Sequence, residues 1–269
     1  MWRFYALHAG IPAAIAVAVL GIFESTDLDR RIQDLFYDPA AGRFPHRIHW
    51  LFETVLHDFG RLSVIALGIG LFAAFLLSWR RATLVPWRRA LLYGVLCLAI
   101  CPVTIAQIKH NTVIHCPRDL EIYGRSAPYV RLFDAAPTGT EPGHCWPGGH
   151  SSGGFAMMSL YFVFRRRKPR VARLWLAGGF AYGFGLGFGR VVQGSHFVSH
   201  NLWAALFCWS IALGLYELML RRYEPAADRS VSKDAWTMIS APRVLNPEFR
   251  SDSRGRGAAL ARRTNEANL

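Results

Sequence analysis

Long apolar runs, broken by short bursts of arginine, dominate the chain. A helix that crosses a bilayer needs about 20 mostly apolar residues, because the hydrocarbon core is about 30 Å thick and each residue rises about 1.5 Å. Six stretches meet or approach that length, at about 5–24, 62–79, 90–108, 151–165, 171–189 and 201–220. The fourth is short, and Ser151, Ser152, Gly153 and Gly154 dilute its start. The fifth carries Gly178, Gly179, Gly183, Gly185, Gly187 and Gly189, small residues that let helices pack closely in a membrane. The pattern predicts an all-α fold, a six-span transmembrane helical bundle.

The segment between the first two spans holds two shorter amphipathic patterns. Leu28, Ile32, Leu35 and Phe36 share one helical face, with Thr26 or Asp27 as a cap. Ile48, Leu51, Phe52, Val55, Leu56 and Phe59 share another. Such pieces lie along a membrane surface or cover the ends of spans. The first apolar run ends in Gly21-Ile22-Phe23-Glu24 and not in a small-residue cleavage site, so it reads as a retained helix. From about Tyr223 the chain turns to Arg, Ser, Ala, Asp and Asn without a period. The expected division is a membrane domain over 1–222 and a disordered cytoplasmic tail over 223–269.

Composition sharpens this reading. Hydrophobic residues make up 52% of the 269 and charged residues only 18%, against roughly 25% in an average soluble domain. The net charge of +13 does not form a basic stripe interleaved with aromatics, so nucleic acid is not the expected partner. Arg80, Arg81, Arg88 and Arg89 follow span two. Arg165, Arg166, Arg167, Lys168, Arg170 and Arg173 follow span four, and Arg221 and Arg222 follow span six. With six spans these bursts share one side, which the positive-inside rule makes cytoplasmic, together with both termini.

The opposite side gathers the chemistry. Nine of the ten histidines (His46, His49, His57, His110, His115, His144, His150, His196 and His200) fall in the outer loops or at their edges. Ionisable groups near a membrane are costly and point to function. Cys116 and Cys145 share the outer loop 109–150, where a disulfide and free thiols are both open. Cys97, Cys101 and Cys208 lie in spans and read as packing residues.

Three blocks stand at outer helix ends: Lys109 to Arg118, Pro147-Gly148-Gly149-His150-Ser151, and Gly189-Arg190 to His196 and His200. In that order they resemble the type 2 phosphatidic acid phosphatase (PAP2) family of membrane phosphatases, over about Lys109 to Trp203. The resemblance implies a phosphatase that works through a phosphohistidine and needs no metal or other cofactor. His196 matches the nucleophile and His150 the general acid. Lys109, Arg118 and Arg190, with the Gly148 and Gly149 backbone, match the phosphate-binding groups. It further implies a lipid phosphate or diphosphate as substrate, drawn from the bilayer and met at the outer face of the inner membrane.

The residue chemistry agrees. Phosphoryl transfer spreads negative charge over three oxygens, so cations and backbone amides do most of the work. Arg clamps two oxygens and Lys acts as a point charge.

Three departures stand out. Gly148 replaces the usual Ser. The first block is stretched, so Arg125 or Arg131 compete with Arg118 as the clamp. His200 stands where an Asp normally orients the nucleophile, which leaves His200 itself, Asp119 or Asp134 for that role. Other classes remain beside the phosphatase: phosphoryl transfer between lipids, a scaffold without activity, and a metal or haem protein using His196 and His200 with His110 and His115.

Overall fold

The computed structural model describes residues 2–223; the predicted tail lies outside the described residues, save for its first residue, Tyr223. Among the described residues eight helices of five residues or more form in chain order: α1 (Trp2–Ser25), α2 (Leu28–Asp34), α3 (Leu51–Leu77), α4 (Ala82–His110), α5 (Gly149–Ala156), α6 (Leu160–Phe164), α7 (Pro169–Val192) and α8 (Val198–Met219). Among the described residues there is no strand, only isolated bridges at Asp38–Arg43 and Leu120–Ala127.

Among the described residues four helices, α1, α3, α4 and α8, are long and apolar enough to cross a membrane. Their large apolar side chains stay exposed, such as Val17, Ile22, Leu62, Ile69 and Leu76. In water that would be costly; in a bilayer it is the lipid-facing surface. The fourth apolar stretch folds as two short helices, α5 and α6, joined by a 3₁₀ turn at Met157–Ser159. The fifth is α7, 24 residues long, whose glycines and arginines lower its hydropathy. Of the two amphipathic patterns, the first forms α2. The second runs on without a break as the π-helical start of α3, Leu51–Phe59.

The glycines of α7 are an interface. A Cβ on Gly154 of α5 would lie 2.5 Å from the Gly183 Cα, and one on Gly183 would strike Phe155 at 2.4 Å. Backbone therefore meets backbone where α5 crosses α7. A core of Cys101, Ile105, Phe155, Ala156, Met158, Ala204, Ala205 and Cys208 joins α4, α5 and α8. At the arginine-rich end, Arg88 donates to the Ser78 carbonyl at 2.6 Å and lies over Trp79, tying α3 to α4. At the opposite end, Phe44, Leu120, Tyr123, Ala127 and Phe197 form a separate cluster that roofs the loop between α7 and α8.

Candidate active site

The α7–α8 turn explains the spacing of six between Arg190 and His196. Gly194 takes a left-handed φ of 70°. Its N–H donates to the Val191 carbonyl at 2.9 Å, and the Ser195 N–H donates to the Arg190 carbonyl at 2.8 Å. These two bonds make a Schellman motif, which ends α7 and folds the chain back beside Arg190. A Cβ at Gly194 would also strike Phe44 at 2.5 Å.

The next helix is capped from a distance. Phe197 stands at the N-cap of α8 and has no side chain that can accept. Asp29 of α2 takes that role, accepting from the Ser199 N–H at 3.0 Å and from the Ser199 hydroxyl. Burial lifts its carboxyl to a pKa of about 6.

Between these devices sits His196, 4% exposed. Its Nδ1 is 3.5 Å from Nδ1 of His200 and 3.4 Å from Sγ of Cys145. Cys145 is bonded to Cys116, and its sulfur also lies 3.1 Å from the Ser195 carbonyl oxygen. Burial holds the His196 imidazole well below the ordinary histidine pKa, and His200, Lys109 and Arg190 push it further down. Burial therefore favours the neutral ring.

The outer loop is locked around this ring. The Cys145 N–H donates to the Ile114 carbonyl at 2.9 Å, and the Thr112 hydroxyl donates to the Trp146 carbonyl at 3.1 Å. Arg118 donates its backbone N–H to the Gly194 carbonyl at 2.9 Å and its guanidinium to the Ser195 hydroxyl at 3.1 Å.

A cavity of about 780 Å³ opens on His196. Lys109 from α4, Gly149 and His150 from α5, and Arg190 from α7 line it at the same end. A methyl on Gly149 would lie 3.9 Å from the Lys109 Nζ, so the ammonium hangs over the start of α5, whose first amides have no helical partner. His150 Nε2–H donates to the Leu56 carbonyl at 3.2 Å, and its ring stacks on His57 at 4.5 Å. Burial, with His57, Arg190 and Arg61 nearby, pushes the His150 pKa down to about 4. Arg190 donates to Glu53 at 3.2 Å and to Gln193 at 2.8 Å, and Gln193 in turn donates to Glu53 at 2.7 Å. That triad holds the guanidinium in one orientation.

The expected residues separate into two groups. Lys109, Gly149, His150, Arg190 and His196 share the cavity, and His200 stands behind His196. Gly148 and Arg118 do not line it. The Gly148 N–H donates to the His200 carbonyl at 2.9 Å, so that amide is already bonded and the backbone that lines the cavity begins at Gly149. A Cβ at Gly148 would meet the Asn201 Oδ1 at 2.5 Å.

The alternatives lie elsewhere. Arg131 is tied to Asp27 at 3.0 Å and to the Glu24 carbonyl. Asp134 accepts from the Arg131 N–H, and Asp119 sits 3.9 Å from Arg118. Among the described residues the one grouping of metal-type ligands is Cys116, Cys145 and His196, and the disulfide removes both thiolates. His110 instead stacks on His144, and His115 bonds the Glu141 carbonyl.

Glu53, Gln193, Arg61 and Asp29 were given no role from the sequence, and His57 stood only as one of the outer histidines. A signal was present: Glu53, His57 and Arg61 recur every fourth residue, on one helical face.

No curated protein and no solved structure matches the chain. The family model described as the PAP2 superfamily matches residues 89–224, half of the chain, and takes in all three blocks. The chain therefore belongs to the PAP2 superfamily, which makes it a phosphatase-type hydrolase, and its apolar helices mark it as a membrane protein.

Proposed function

We propose that the protein is a metal-independent phosphatase of lipid phosphates or diphosphates, acting through a phosphohistidine on His196. The observation that carries this is the shape of the cavity. Its polar end holds Lys109, His150, Arg190 and His196, and it continues between α3 and α4 along Val64, Ile65, Gly68, Ile69, Val95, Leu98, Ala99, Pro102 and Ala106. From Lys109 back to Val95 the groove follows α4 for roughly 20 Å at 1.5 Å per residue. A cationic head with a long apolar groove suits an anionic head group on an acyl or prenyl chain.

In this reading Lys109, Arg190 and the first amides of α5 hold the phosphate oxygens. His196 Nε2 attacks phosphorus while its Nδ1–H donates to the Nδ1 of His200. The P–O bond to the lipid breaks, and His150 gives its proton to the leaving oxygen. The phosphate dianion in the cavity raises the His150 pKa from its resting value, which supplies that proton. Water, deprotonated by His150, then attacks the phosphohistidine, releases inorganic phosphate and restores His196.

The layout in the membrane follows the same proposal. Six spans, with α5–α6 and α7 completing the four long helices, put Arg80, Arg166, Arg221 and their neighbours in the cytoplasm. The site then faces the outer side of the inner membrane. Phosphate release from a panel of lipid phosphates, in the presence of chelator and beside a His196→Ala control, tests the reading. Loss of release in wild type on chelation, or retained release in the variant, contradicts it.

A further inference from the structure

The cavity has a second wall of basic side chains that the chemistry above leaves unused. His57 and Arg61 stand one turn apart on α3, and both line the cavity. They lie outside the family match, which begins at residue 89. His57 stacks on His150 with ring centroids 4.5 Å apart, and its Nδ1 is 2.9 Å from the exposed Asp58 carboxylate. Arg61 is exposed and forms no ion pair with any described residue, unlike Arg190, which Glu53 engages. Continuing along the same face, Val64, Ile65 and Gly68 begin the apolar groove. Arg61 therefore sits between the reacting end and the groove.

We propose that His57 and Arg61 form a second anion subsite, which selects a lipid diphosphate over a monophosphate. The inference rests on the phosphatase reading above. In a diphosphate the terminal phosphoryl reaches His196 and the chain enters the groove, so the lipid-linked phosphoryl lies beside Arg61. His196 Nε2 bonds to the terminal phosphorus, the bridging P–O bond breaks, and its electron pair goes to the departing lipid phosphate. Arg61 and His57 then stabilise the charge that builds on that leaving phosphate.

The test is binding of methylphosphonate and methylenediphosphonate, neither of which can be hydrolysed, to the full-length protein in detergent. Wild type, Arg61→Gln, Arg61→Lys and His57→Asn are compared. A charge-assisted contact gives the diphosphonate roughly a tenfold advantage in wild type. Arg61→Gln costs the diphosphonate about tenfold and the monophosphonate about twofold, His57→Asn does so more weakly, and Arg61→Lys restores part of the preference. Equal losses for both ligands in Arg61→Gln, or no preference in wild type, overturn the subsite and leave the phosphatase reading standing. Failure of wild type to bind either phosphonate overturns the phosphate site itself, and the subsite with it.

Discussion

The Nδ1 atoms of His196 and His200 lie 3.5 Å apart, with the two ring planes inclined at 66°. If His196 attacks through Nε2, its Nδ1 must carry the proton, and His200 must present a lone pair from Nδ1. The second histidine then does by tautomer what a carboxylate does by charge. It orients the nucleophile but cannot neutralise the imidazolium that forms.

His200→Asp is therefore expected to keep or raise kcat, because a carboxylate accepts the same proton and adds charge. His200→Ala is expected to lower kcat at least about tenfold, with little change in KM. Full activity in His200→Ala sinks the orienting role. Steady-state kinetics on the three proteins decide it.

The disulfide is the second support of that ring. Cys145 Sγ is 3.4 Å from the His196 Nδ1, and the Cys116–Cys145 bond closes a segment with a sequence separation of 29. Reduction with a dithiol, or the Cys116→Ser/Cys145→Ser pair, should lower kcat several-fold and lower the melting temperature. The stability loss should be about 2–4 kcal/mol. An unchanged melting curve together with unchanged kcat contradicts this.

Arg118 and Arg190 should differ in kind. Arg190 lines the cavity, whereas Arg118 spends its side chain on the Ser195 hydroxyl. Arg190→Ala removes a cation from the phosphate and should lower kcat/KM by about a hundredfold or more. Arg118→Ala should cost about ten times less and should be mimicked in part by Ser195→Ala. Equal losses would place Arg118 on the phosphate.

The pH profile follows from burial of His196. A lowered pKa keeps the imidazole neutral and nucleophilic below the usual histidine range, and activity falls only when pH drops through the depressed value. With the ionisation of the substrate factored out, kcat/KM should show no acid limb near pH 6.5. An acid limb at about 6.5 in the wild-type profile would contradict this and mark the nucleophile as an ordinary, exposed histidine.

Much of this was legible from the sequence, and the gaps have physical causes. The three blocks gave Lys109, Gly149, His150, Arg190 and His196, because each sits at a helix end where spacing translates into position. The place of Arg118 outside the cavity lining could not be read, because its partner Ser195 is far away in sequence and only the folded loop brings them together. Gly148 looked like a phosphate amide, yet its N–H is taken by the His200 carbonyl, a bond between two separate segments. Glu53 and Arg61 were hidden by their apolar companions on the same stretch, which read as a surface that meets lipid, while His57 stood out only as one histidine among nine. Asp29 was invisible, since nothing local marks it as the cap of a helix 170 residues away.

The most direct test of the central claim is to trap the phosphoenzyme. A short-chain lipid phosphate labelled with ³²P is mixed with the protein, quenched in alkali within milliseconds to seconds, and digested. The account predicts an acid-labile, alkali-stable label on the peptide that carries His196, formed at the rate of the first turnover and absent in His196→Ala. Label on another residue, or turnover at the wild-type rate with His196 replaced, would contradict it.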